Sequence, residues 1–254
     1  MLAVSLFFTF QQHVLTFAMA FARVAIVLYM LPVLGERVLS NMIIKNMVVI
    51  LIITGLWPCV EPVMAPEQGT FFLLLKEAIA GLVLAVTLCL PFWIAVTLGE
   101  LLDNQRGATL SDSIDPVNGV QSSVMAGFMN FTFGAIFFAQ GGARRLMDVF
   151  VQSYHIFPRG GDFSRFTVTE AGACLSLMMQ NSIILASPVM IVLMVSEILL
   201  GLLARYCPQL NPFSLSLTIK SFIAFGIFLL YGFHTFSAKV LPLFSISTFT
   251  HFFQ

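Results

Sequence analysis

The stretch from Phe71 to Leu102 carries charge only at Lys76, Glu77 and Glu100. It is longer than the roughly 20 apolar residues that one bilayer crossing needs. Pro91 lies inside it. That leaves two solutions: one long helix bent at the proline, or two segments meeting there. Thr169 to Leu203 poses the same problem, with Pro188 in its middle. A water-soluble domain has no use for two such runs.

Composition agrees. Of 254 residues, 59% are hydrophobic and 9% charged, against about 25% charged in a soluble domain. Further apolar segments are expected at Val14–Leu34, Val38–Leu56, Val120–Gln140 and Ser216–Leu241. Trp57-Pro58 and Gly141-Gly142 act as stops. Glu61 to Gly69, Pro158 to Arg165 and Cys207 to Pro212 read as polar connections. After Arg144-Arg145, Leu146, Val149, Phe150, Tyr154 and Phe157 recur at 3–4 spacing, the pattern of an amphipathic helix. No period-2 alternation persists long enough for a barrel. The fold class is therefore all-α, a polytopic membrane protein of five to seven apolar helical segments, with 1–254 read as a single unit.

The 27 Phe against 2 Trp and 4 Tyr point to packing between helices, since interfacial belts favour Trp and Tyr. The apolar Met1–Phe10 lacks the basic region and cleavage site of a cleaved signal peptide. Arginines are spread over most connections, so the positive-inside rule gives no orientation. The tail from Pro242 to Gln254 shows no period.

Charge is concentrated in one place. Asp103, Arg106, Asp112 and Asp115 fall within thirteen residues, with Gly107 between them and an Asp115-Pro116 stop. A membrane protein that gathers polar groups in one connection uses them toward water, ions or a partner; the plain alternative is a solvated inter-helix loop. Elsewhere Arg23, Lys45, Lys76, Glu77, Glu197 and Lys220 interrupt apolar runs. Each costs about 2.5–3.5 kcal/mol at the centre of a bilayer helix unless it is paired or faces water. Glu77, Gly81 and Ala85 share one helix face, as do Glu197, Gly201 and Arg205. Small residues at that spacing let helices approach, which puts each carboxylate on a helix–helix seam. Ion pairs holding a bundle together are the structural reading; a proton relay or a transport pathway is the functional one.

Several functions are excluded. Net charge is zero, so no field attracts nucleic acid. Cys59, Cys89, Cys174 and Cys207 form no C-x-x-C. His13, His155, His234 and His251 are scattered, so no metal-ligand spacing exists. Cys89 and Cys174 read as small core residues. There is no phosphate-binding glycine loop and no nucleophile–base spacing. The chain is expected to be no enzyme and to need no cofactor or metal.

Two polar motifs carry a resemblance. Gly99-Glu100-Leu101-Leu102-Asp103-Asn104-Gln105-Arg106-Gly107-Ala108 with Asp115-Pro116 is one. Gly201-Leu202-Leu203-Ala204-Arg205-Tyr206-Cys207-Pro208-Gln209-Leu210-Asn211-Pro212-Phe213 followed by Lys220 is the other. Together with Arg23 and Pro32, and with Lys76-Glu77 and Gly81, they resemble the T-type export-apparatus proteins of type III secretion systems, the SctT/YscT/SpaR family, similar to FliR of the flagellar exporter. The Arg106-Gly107 pair resembles the virulence branch more than the flagellar one.

The resemblance implies a multi-pass protein of the bacterial inner membrane that co-assembles with R-type and S-type subunits into a cone-like pore. U-type and V-type export proteins would stand beside it, and unfolded secreted substrates would pass through. The assembled core would sit partly raised above the lipid membrane. It also implies that the segment from Asp103 to Gly119 forms part of a plug. Asp103, Gln105, Arg106, Gly107, Asp112, Asp115, Pro116 and Gly119 would be the gate residues, and Arg23, Lys76, Glu77, Glu197, Arg205 and Lys220 the charges that support assembly. A small-solute transporter or channel is the competing reading, because such folds also use proline-interrupted helices and a midplane polar site. A passive assembly factor is the third.

Overall fold

The computed structural model describes residues 2–35, 41–59, 69–106, 123–158, 168–206 and 212–244. Among these, every regular element is helical: α1 (Leu2–Met30), α2 (Met42–Leu56), α3 (Thr70–Arg106), α4 (Val124–Ala139), α5 (Gly142–Ile156), α6 (Val168–Tyr206) and α7 (Pro212–Thr235), with short 3-10 turns at Pro32–Leu34, Trp57–Cys59 and Leu241–Leu243. The connections expected at Glu61–Gly69, Pro158–Arg165 and Cys207–Pro212, the terminal tail, and the loop beyond Arg106 lie almost wholly outside the described residues.

Local chemistry sets the boundaries, and several differ from expectation. The first helix starts at Leu2, not Val14, because the apolar opening residues continue the same pattern. It ends at Met30 because Leu31 precedes a proline and turns extended (ψ 116°). The second starts at Met42 rather than Val38, where the Asn41 side chain accepts a hydrogen bond from the Ile43 N–H at 2.9 Å. The last begins at Pro212, four residues earlier than Ser216, since a proline is tolerated in a first turn. Its α register stops at Thr235 and passes into a π turn over Phe236–Val240.

Neither internal proline divides its helix. α3 runs 37 residues through Pro91, about 55 Å at 1.5 Å per residue. α6 runs 39 residues through Pro188. A proline leaves the carbonyl four residues earlier without its donor. At Pro188 that carbonyl belongs to Ile184, and the Ser187 hydroxyl donates to it at 2.8 Å.

The chain forms two compact units, 1–90 with 138–174 and 244–254, and 91–137 with 175–243. In the first, α1 and α2 pack side by side, and Ala20, Val24, Val27, Val49, Ile53 and Leu84 are buried. Of the face expected from spacing, Leu146, Val149 and Phe150 are buried on α5, Tyr154 is half-buried, and Phe157 is buried just past the helix end. The Cys89 thiol donates to the Met30 carbonyl at 3.2 Å and is buried as a small core residue.

In the second unit the phenylalanines do the packing. Phe92 meets Phe133 edge to face at 4.9 Å and Phe137 at 5.4 Å. Phe236 meets Phe133 at 5.7 Å and Phe228 at 5.6 Å. Each such pair contributes about 0.5–1.5 kcal/mol beyond its buried area. Gly99 is required here, because a Cβ would overlap the Ala126 backbone of α4.

Ser5–Met30, Thr70–Arg106 and Leu175–Leu203 are each long and apolar enough to cross a membrane.

Candidate functional site

Two polar clusters stand out, one in each unit. The first is built on Arg23, about three-quarters of the way along α1 and fully buried. Its Nε donates to Glu77 Oε2 on α3 at 2.8 Å. Nη1 donates to the Ser153 carbonyl at 3.2 Å and to its hydroxyl at 3.4 Å. Nη2 donates to the Phe157 carbonyl at 3.1 Å, and the guanidinium lies 4.1 Å from the centre of the Tyr154 ring.

Ser153 lies in the last turn of α5 and Phe157 caps it, where the helix dipole is negative; the Ser153 carbonyl also accepts from the Phe157 N–H at 3.0 Å. One cation therefore neutralises a carboxylate and caps a helix terminus. Only a planar guanidinium with several fixed donors does both. Gly81, one turn beyond Glu77, makes the approach possible: a Cβ there would stand 2.7 Å from the Arg23 carbonyl oxygen and 2.9 Å from its Cα. The Glu77–Gly81 seam expected from spacing is thus the α1–α3 contact. Glu77 Oε1 has no hydrogen-bond partner among the described residues, so all its compensation comes from Arg23. Lys76 is buried beside it, with Nζ 4.8 Å from the Phe72 ring centre.

The second cluster lies where the polar interruption begins. Asp103, Gln105 and Arg106 were expected in a loop; they occupy the last turn of α3, because Leu101 and Leu102 carry the apolar helix on to them. Asp103 Oδ1 accepts from Arg106 Nε at 2.6 Å, and Nη2 lies at the same distance in the ion pair. Its Oδ2 accepts from the Met125 N–H at 3.0 Å and from the Ser123 hydroxyl. Ser123 Oγ accepts from the Ala126 N–H at 2.9 Å.

A serine and a carboxylate thus cap the start of α4, where free N–H groups and the positive dipole end favour an anion. Arg106 Nη1 reaches across to the Ser221 hydroxyl of α7 at 3.2 Å. The two helix ends that flank 107–122 are joined in one clasp, which is tied in turn to α7. Gln105 is exposed on the same turn. Gly107, Asp112, Asp115, Pro116 and Gly119 lie outside the described residues.

Lys220, next to Ser221, is buried and pairs with Glu197 of α6 at 3.1 Å. The α6 seam expected at Glu197, Gly201 and Arg205 is not made among the described residues. The Glu197 side chain is 64% exposed, a Cβ on Gly201 would meet open space, and Arg205 is exposed. Four charged residues of this unit, Glu197, Lys220, Arg106 and Asp103, form a chain of short steps across four helices, through Ser221 to the α4 terminus.

Sequence reasoning singled out the charges but missed Ser123, Ser153, Ser221 and the Phe157 carbonyl. Ser123 alone carried a signal: a serine immediately before an apolar run reads as an N-cap.

Comparison with known proteins gives a consistent result. The family described as bacterial export proteins, family 1, matches residues 14–244. The surface presentation of antigens protein SpaR of Salmonella typhimurium is 40% identical over 89% of this chain and 86% of its own length. The Yop proteins translocation protein T of Yersinia pestis is 30% identical over 87% of each chain. The flagellar biosynthetic protein FliR of Escherichia coli is 27% identical over 72% of this chain and 70% of its own.

Proposed function

The chain belongs to the bacterial export proteins, family 1, and from that premise we propose that it is a T-type subunit of a type III secretion export gate in the bacterial inner membrane. The whole of 1–254 acts as one subunit. It co-assembles with small polytopic R-type and S-type subunits into a closed pore, beside U-type and V-type export proteins, through which unfolded substrates leave the cell. The resemblance of the virulence-system relatives SpaR and Yop translocation protein T supports that branch over the flagellar one.

The observation that carries the mechanism is the clasp of Asp103, Arg106, Ser123 and Ser221. It holds both stems of the 107–122 segment to one point, as a plug that must stay shut under a membrane potential requires. Each contact is a helix cap or a charge-assisted hydrogen bond of about 1–3 kcal/mol, small enough to break one at a time. On this reading the segment from Asp103 to Gly119 closes the lumen. Substrate entry opens the clasp without unfolding the core held by Arg23.

The test is purification through a tag on this chain in mild detergent, with mass spectrometry of what accompanies it. Recovery of R-type and S-type partners in fixed ratio is expected. A monodisperse homo-oligomer, stable without partners, would overturn the proposal and bring forward the small-solute transporter. Within a recovered complex, deleting 106–112 is expected to let a small dye cross the membrane; an intact barrier would remove the plug role.

A further inference from the structure

α7 changes direction by 55° between Ser216–Gly232 and Phe236–Leu243, at the π turn. A π turn widens the helix by one residue and rotates the side chains beyond it out of α register. One face of the elbow becomes a groove of about 270 Å³, lined by Leu230, Tyr231, His234, Thr235, Ala238 and Lys239.

Three observations bear on what the groove takes. Among the described residues, neither His234 nor Lys239 has a carboxylate within ion-pair distance, and both are exposed. The Thr235 hydroxyl is already used, donating to the Tyr231 carbonyl at 2.7 Å. That leaves the groove with an ammonium, an imidazole and a phenol as its free polar side chains, all able to donate to an anionic oxygen. Finally, the exposed apolar surface of α7 leads up to it: Phe222 is 83%, Leu229 58% and Leu230 88% exposed. Along this helix, lipid-compatible side chains give way to a tyrosine, then to an imidazole and an ammonium, the order found where a membrane-facing helix reaches the headgroups.

We infer that the α7 elbow is a binding site for a phosphoryl group, with Lys239 and His234 as its donors and Tyr231 at its edge. The apolar approach along Leu229 and Leu230 assigns that group to the head of an anionic phospholipid whose chains lie on the exposed face of α7. The inference rests on the groove and its chemistry and does not depend on the export reading.

The experiment uses the full chain, with the partners that purify with it, in micelles of phosphatidylglycerol mixed with phosphatidylcholine. Lipid retained after exchange into lipid-free detergent is counted by mass spectrometry. The wild type is expected to retain phosphatidylglycerol over phosphatidylcholine. H234Q/K239Q is expected to lower that preference about fivefold or more, since a basic side chain near an anionic surface contributes about that factor. K239R, which keeps the charge, is expected to retain the preference and guards against a folding defect in the double variant. Equal retention in the wild type and H234Q/K239Q would overturn the site. Loss of the retained lipid to millimolar inorganic phosphate would overturn its assignment to a lipid and leave a free-phosphate site instead.

Discussion

The two units solve the same problem, an arginine and a carboxylate in an apolar chain, in opposite ways. Arg23 and Glu77 are both 1% exposed at their side chains, and the arginine on α1 is bonded to two other helices at once. Arg106 and Asp103 sit one turn apart at the end of α3, 14% and 3% exposed; the aspartate bonds to the start of α4 and the arginine to Ser221 within α7. In the first unit the pair is part of the core, and removing one partner strands a buried charge. In the second it closes a joint between elements, and removing one partner loosens the joint while the phenylalanine core stays packed. The difference teaches that burial and partner count, more than charge, separate a pair fixed in a core from one that joins the ends of elements.

The largest expected effect is that of Arg23→Ala. Breaking a buried pair from one side costs about 3–5 kcal/mol, here with the Phe157 carbonyl also losing its Arg23 donor. Accumulation of the chain in membranes, read by immunoblot, should fall to background. R23M/E77M sharpens the comparison, because an apolar replacement of both partners removes the stranded charge. It should recover part of the lost protein, and no recovery at all would mean that the caps on Ser153 and Phe157 matter more than the ion pair.

Gly81→Val tests the same cluster through shape alone. Its Cβ meets the Arg23 backbone within 3 Å, an overlap costing about 1–3 kcal/mol, and chain recovery should fall without any change of charge. Asp103→Ala removes the α4 cap and the Arg106 partner for about 1–2 kcal/mol. The complex should still assemble, with its secretion altered. Glu197→Gln comes last. Its carboxylate is largely exposed, unlike that of Glu77, so its loss should lower assembly least of these changes. A collapse of assembly in E197Q would mean that this face is buried in the complex.

Much of the fold was legible from apolar periodicity: the all-α class, the helix existence and the buried face of α5. Boundaries were less so, because they are set by single residues such as Asn41, Leu31 before Pro32, and Pro212. Pro91 and Pro188 left open whether one helix or two ran through them. The answer depends on whether neighbours re-satisfy a freed carbonyl, and Ser187 does so beside Pro188. The candidate site was half legible. Arg23 and Glu77 each advertised a need for a partner, yet 54 residues separate them and nothing in the sequence joins them. The Ser153 and Phe157 carbonyls have no sequence signature, since every residue carries one. Asp103 and Arg106 read as loop because charge ends an apolar pattern, whereas an i,i+3 pair with a helix to cap prolongs it.

The most direct test of the contrast between core and joint is secretion per assembled complex, measured side by side for R23A and D103A against wild type. The account predicts that R23A loses complex and secretion in proportion, so that its ratio stays near wild type. D103A should keep its complex and change the ratio. A D103A ratio equal to wild type, with secretion falling only as complex is lost, would contradict it.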